Sequence, residues 1–119
     1  MKTSSAKSKG RKAQQAIRDK LLAEFELQEG DVESRAMGSG GVDLMLSPVA
    51  RAIIPLSIEA KKTRKAPARA EVEQSRANAY PCTLPVVVWS PHGSGPGKEL
   101  MLCDFSDFLK WYKGIKNEV

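Results

Sequence analysis

The chain has 119 residues, enough for one compact domain and too few for a second core. With 41% hydrophobic and 28% charged residues it reads as a globular protein, and no apolar run approaches the ~20 residues that span a bilayer. A formal net charge of +5 favours an anionic partner, and the basic N-terminus lacks the apolar stretch of a secretory signal, so a cytoplasmic protein is expected.

Residues 1–8, "MKTSSAKS", are small, polar and basic, and are expected to form a disordered tail ahead of a single domain over 9–119. From about Lys9 to Phe25, Ala13, Ala16, Ile17, Leu21 and Phe25 recur at helical steps, which predicts one buried stripe. "QEGD" should stop that helix at Gly30. In "RAMGSGGVDLML" the glycines permit a tight turn, and Val42, Leu44 and Leu46 alternate with Asp43 and Met45 as in a half-buried strand.

"SPVARAI" predicts a turn or a single helical turn, and Ile54–Lys61 the next strand. A helix is expected over Ala68–Ala79, closed by Tyr80-Pro81. "LPVVVWS", Leu84 to Ser90, is an unbroken apolar run and should be a central strand buried on both faces. Glu99–Cys103 reads as its partner strand. A last helix, capped by Asp104 or Ser106, should pack through Phe105, Phe108, Leu109 and Tyr112. The order is α-β-β-α-β-β-α, an α/β chain with a central mixed β-sheet flanked by helices.

The positive charge is clustered. Lys2, Lys7, Lys9, Arg11, Lys12, Arg18 and Lys20 form one block, and Lys61, Lys62, Arg64, Lys65, Arg69 and Arg76 a second. Such blocks suit a phosphate backbone, and they equally suit ordinary surface solubility. Cys82 and Cys103 form no CxxC pair and are expected as reduced thiols, and a single histidine, His92, excludes a structural zinc site. "GSGPGKE" has the wrong glycine spacing for a phosphate-binding loop and reads as a hairpin turn.

"SIEAKK", residues 57–62, poses the chemical question. Strand parity sends Ile58 and Ala60 to the core and places Ser57, Glu59 and Lys61 on the opposite face. The preceding strand turns Asp43 away from its own core side. If the two strands pair as an antiparallel hairpin, both carboxylates reach one point beside a lysine. Two hard oxygen ligands suit Mg²⁺, and the lysine could orient an attacking water. The residues leave a second possibility open, a solvated edge face on which Glu59 and Lys61 simply pair.

"GVDLML" with "SIEAKK" resembles the PD-(D/E)xK nuclease superfamily, with Asp43, Glu59 and Lys61 on its signature positions. The basic first helix and "SRAMGSGGVDL" make the chain similar to archaeal-type Holliday-junction resolvases and to small phage endonucleases like them. The resemblance spans about residues 9–90. It implies a restriction-endonuclease-like fold and a Mg²⁺-dependent DNA endonuclease, with Mn²⁺ as a substitute, acting on branched four-way junctions in DNA recombination. A homodimer, and a phage gene expressed in a bacterial host, go with that implication. It makes Asp43, Glu59, Lys61 and Gln74 catalytic, and Asp43, Glu59 and the Ala60 carbonyl metal ligands. Arg11, Lys12, Gln14, Arg35, Ser39, Lys62, Arg64 and Lys65 become DNA contacts. Gln14 stands where the archaeal enzymes carry a third acid. The alternatives are a generic or flap nuclease of the same superfamily, and a catalytically weakened DNA-binding protein of that fold.

Overall fold

In the computed structural model, residues 3–35 and 41–117 are described, with side chains over 8–35 and 41–115. Helix α1 runs Thr3–Glu24, so residues 3–8 continue the helix where a disordered tail was expected. The reason is that propagation costs little once a helix is nucleated, and Ser4, Ser5, Ala6 and Lys7 include no breaker. The helix also ends earlier than predicted. Glu26 takes φ 51°, Phe25 is 45% exposed, and Gly30 sits in a short 3-10 turn over Glu29–Asp31 rather than at the stop. Ile17 remains the buried anchor of the stripe, and Gln14 is buried with it.

Strand β1 (Val32–Ser34), which the alternation did not reveal, pairs antiparallel with β2 (Leu44–Leu46). Around β2 the expected alternation holds: Val42, Leu44 and Leu46 are buried while Asp43 and Met45 are partly exposed. Helix α2 (Pro48–Ile53) follows, with Ser47 as its N-cap accepting from the Ala50 N–H.

Strand β3 (Leu56–Thr63) pairs parallel with β4 (Leu84–Pro91), and β4 pairs antiparallel with β5 (Leu100–Leu102). The sheet is therefore mixed, and β4 is its central strand as its apolar run predicts. Helix α3 (Arg69–Asn78) is the crossover that a parallel pair requires.

Leu56, Ile58, Ala60, Leu84, Val86 and Val88 of the sheet join Ile17 of α1 in one core, onto which Phe108 and Trp111 of α4 (Phe105–Asn117) also pack. On α4 the packing face is thus Phe108 with Trp111, whose Nε1 donates to the Pro55 carbonyl at 2.9 Å. Phe105, Leu109 and Tyr112, expected on that face, are exposed, because Phe108 and Trp111 are the α4 side chains that pack on the core. The opposite sheet face is covered by α3 through Val72 and Ser75. Arg69 and Arg76 clamp α3 to α4 through Asp104 and Asp107. The Asp107 N–H and the two guanidiniums hold the Asp104 carboxyl below its usual range. The chain is an α/β protein with a mixed sheet flanked by helices, and among the described residues no helix is long and apolar enough to cross a membrane.

Candidate active site

The two carboxylates meet, by a route other than a hairpin. β2 pairs with β1, and the expected antiparallel ladder between β2 and β3 is not made. Instead the Asp43 N–H donates to the Ile58 carbonyl at 3.2 Å, and the Asp43 Oδ2 accepts from the Ala60 N–H at 2.7 Å. The side chain of Asp43 thereby takes the place of a ladder bond and pins the carboxylate beside β3.

Glu59 points to the α3 side and is only 8% exposed. A buried carboxylate that meets another in low dielectric resists ionisation. Burial raises the Glu59 pKa most; the Asp43 charge and a hydrogen bond shared with Asp43 raise it further, against the lowering effects of Asn78 and Lys61. Asn78 Nδ2 donates to Glu59 Oε1 at 3.1 Å. A solvated edge face with a paired Glu59 and Lys61 does not describe this arrangement. Glu59 is buried, and Lys61, half-buried, has no ion-pair partner among the described residues.

Several expected roles change. Gln74 is exposed, and the α3 amide that reaches the acids is Asn78, one helical turn further on. The signal for Asn78 was its position at the C-terminal end of α3, where the helix runs back over β3; periodicity alone does not rank one amide over another. Gln14 is 2% exposed and cannot contact DNA. Its Nε2 donates to the Asp43 carbonyl at 2.6 Å and to the Arg35 carbonyl at 3.0 Å, tying α1 to the backbone beneath the carboxylate.

Arg35 is also partly committed, since its Nε donates to the Val42 carbonyl at 2.7 Å and its guanidinium lies over Gly41. Lys62 donates to the Pro91 and Ser94 carbonyls at 3.1 and 3.3 Å, which removes it from the freely solvated set. Arg69 and Arg76 are spent on the α3–α4 clamp. Arg11, Lys12, Arg64 and Lys65 are exposed, with no ion pair among the described residues. Ser39 lies outside the described residues. Cys82 and Cys103 are free thiols.

Among the described residues no three of His, Cys, Asp and Glu gather as a metal-binding group. The set is a carboxylate pair with a half-buried lysine. That fits a hard cation held by one or two carboxylates with water and phosphate oxygens completing its shell, and it does not fit a closed all-protein cage. No protein-family model matches the chain, and no curated protein or solved structure does either.

Proposed function

We propose that this protein is a Mg²⁺-dependent DNA endonuclease of restriction-endonuclease-like fold. The observation that carries the reading is the Glu59 carboxyl, buried against Asp43 with its pKa raised, on the same strand face as Lys61, which has no ion pair among the described residues. A plain core has no use for two acids in contact. Such a pair is relieved either by a proton or by a cation, and at neutral pH a cation is the stronger competitor when phosphate oxygens complete its coordination.

Asp43 and Glu59 would hold the ion, with the Ala60 carbonyl beside them. Lewis acidity, which polarises the phosphodiester and offsets charge on the leaving oxygen, is what Mg²⁺ supplies there when bound. Asp43 is oriented by the Ala60 N–H and Glu59 by Asn78, so neither acid needs to reorganise on binding. Lys61 would orient the attacking water and stabilise the added negative charge as the P–O bond to the leaving group breaks. Arg11, Lys12, Arg64 and Lys65 are the exposed cations available to the DNA backbone. Preference for a four-way junction, and the C2 homodimer that symmetric cutting would need, are the finer part of the proposal.

A second reading, a DNA-binding protein with a weakened site, is favoured by Gln14. Where a third acid would stand, this chain has an amide whose nitrogen serves two backbone carbonyls. Incubation with Mg²⁺ or Mn²⁺ and a four-way junction, a linear duplex and a flap separates the readings. Symmetric nicks in the junction alone support resolution, and equal cutting of all three supports a generic nuclease. Binding without products under either metal rejects the enzyme. Glu59→Ala and Lys61→Ala should each abolish cutting while binding survives.

A further inference from the structure

The last residues of β3 and β4 lie side by side, Lys62 paired in register with Ser90. Alternation places Lys62 on the sheet face opposite Glu59 and Lys61, towards α1. Between that strand end, α1 and the 91–97 turn runs a groove of about 230 Å³. Ala13 and Ala16 leave it open, and Lys9, Lys12, Lys62, Ser90, Ser94 and Glu99 line it.

Ser90 is 6% exposed, and its Oγ is buried without a hydrogen-bond partner among the described residues. Buried hydroxyls are nearly always satisfied, so an orphan one at a groove wall calls for a ligand atom. The surrounding charge says which kind. Lys9 and Lys12 stand about one turn apart on α1 with no carboxylate partner among the described residues. The Lys62 ammonium is aimed by the Pro91 and Ser94 carbonyls and keeps a further proton to donate. The one carboxylate present, Glu99, is turned to its own loop and accepts the Gly97 N–H at 3.1 and 3.3 Å.

We propose that this groove is a second anion site that binds a phosphoryl group, with Ser90 Oγ as hydroxyl donor and Lys9, Lys12 and Lys62 as cations. Resting on the function proposed above, the phosphoryl group is a backbone phosphate of the same DNA. It is held on the far face of the sheet, three residues along β3 from Glu59, roughly 10 Å of strand. A site there would fix the DNA relative to the carboxylate pair without taking part in bond breaking.

Amide chemical shifts in metal-free buffer test this, first with inorganic phosphate and then with a short DNA duplex as competitor. Saturable shifts at residues 9–16 and 90–95, displaced by the duplex, are expected. Ser90→Ala should weaken phosphate binding roughly tenfold, the loss of one hydrogen bond to a charged group, without lowering the melting temperature. Lys9→Ala with Lys12→Ala, both on the helix surface, should weaken it as well. Absence of saturable shifts at these amides, or unchanged affinity in both variants, overturns the site. Phosphate binding that duplex DNA does not displace assigns a free phosphate or nucleotide and overturns the backbone-phosphate source. Because no metal is present, the readout is independent of cutting. Retained shifts with no cleavage in Mg²⁺ would reject the nuclease and leave the groove standing.

Discussion

Gln14→Glu puts a third acid where the resolvase-like pattern would have one, and the structure predicts that it damages the protein instead. Gln14 is 2% exposed, and its amide nitrogen serves two acceptors, the Asp43 and Arg35 carbonyls at 2.6 and 3.0 Å. A carboxylate has no proton to give either of them. The Asp43 carbonyl keeps the Arg35 N–H at 2.7 Å, but the Arg35 carbonyl loses its donor and both face a buried negative charge. One unsatisfied buried acceptor costs about 1–3 kcal/mol, and an uncompensated buried charge about 3–5 kcal/mol, so a loss of roughly 3–5 kcal/mol is expected at pH 8. For a domain of this size that lowers the melting temperature by about 10–25 °C.

The penalty has a pH signature. A carboxyl whose folded pKa is raised contributes its stability below its unfolded value, about 4.3, and loses it as pH rises through the folded pKa. Gln14→Glu should therefore approach wild type near pH 4 and fall away towards pH 8. Urea unfolding at both pH values, with chelator present, measures the difference. Wild-type stability at pH 8 would refute the reasoning. So would a gain in Mn²⁺ affinity without loss of stability, because it would show the new carboxylate reaching the metal site instead of the two carbonyls.

Three further outcomes follow from the same geometry. Without metal, the raised Glu59 pKa means that its contribution is present below the unfolded value and is lost as pH rises through the folded one. Glu59→Gln should flatten that decline and match or exceed wild-type stability at pH 8 in chelator, while losing any thermal stabilisation by Mg²⁺; a variant less stable than wild type at pH 8 contradicts this. Asn78→Ala removes a hydrogen bond that lowers the Glu59 pKa, so the acidic limb of the pH–rate profile should move to higher pH. If the limb stays in place while the rate falls, Asn78 does not act through Glu59. Gly41→Ala forces an L side chain to φ +97° with its Cβ 3.0 Å from the Arg35 guanidinium, and should cost about 1–3 kcal/mol in chemical denaturation.

The sequence by itself determined most of the elements and the parity of the key residues. Period two placed Val42, Leu44 and Leu46 inward, and the apolar run at 84–90 was legible as a central strand, because burial and pleat leave a local imprint. It also marked Asp43, Glu59 and Lys61 as chemically odd. Pairing partners leave no such imprint. That β2 would join the short β1, while Asp43 meets β3 through one backbone bond and its carboxylate, depends on contacts between residues far apart in the chain. The same holds for burial of polar groups. From the sequence the hydrogen-bond partners of Gln14, Ser90 and Glu59 are invisible, and only packing shows which is committed to the backbone, which is left without a partner among the described residues, and which is pressed against another acid. Pattern identifies which residues are available for chemistry, and tertiary structure decides their dielectric and their neighbours, which set charge and hydrogen bonding.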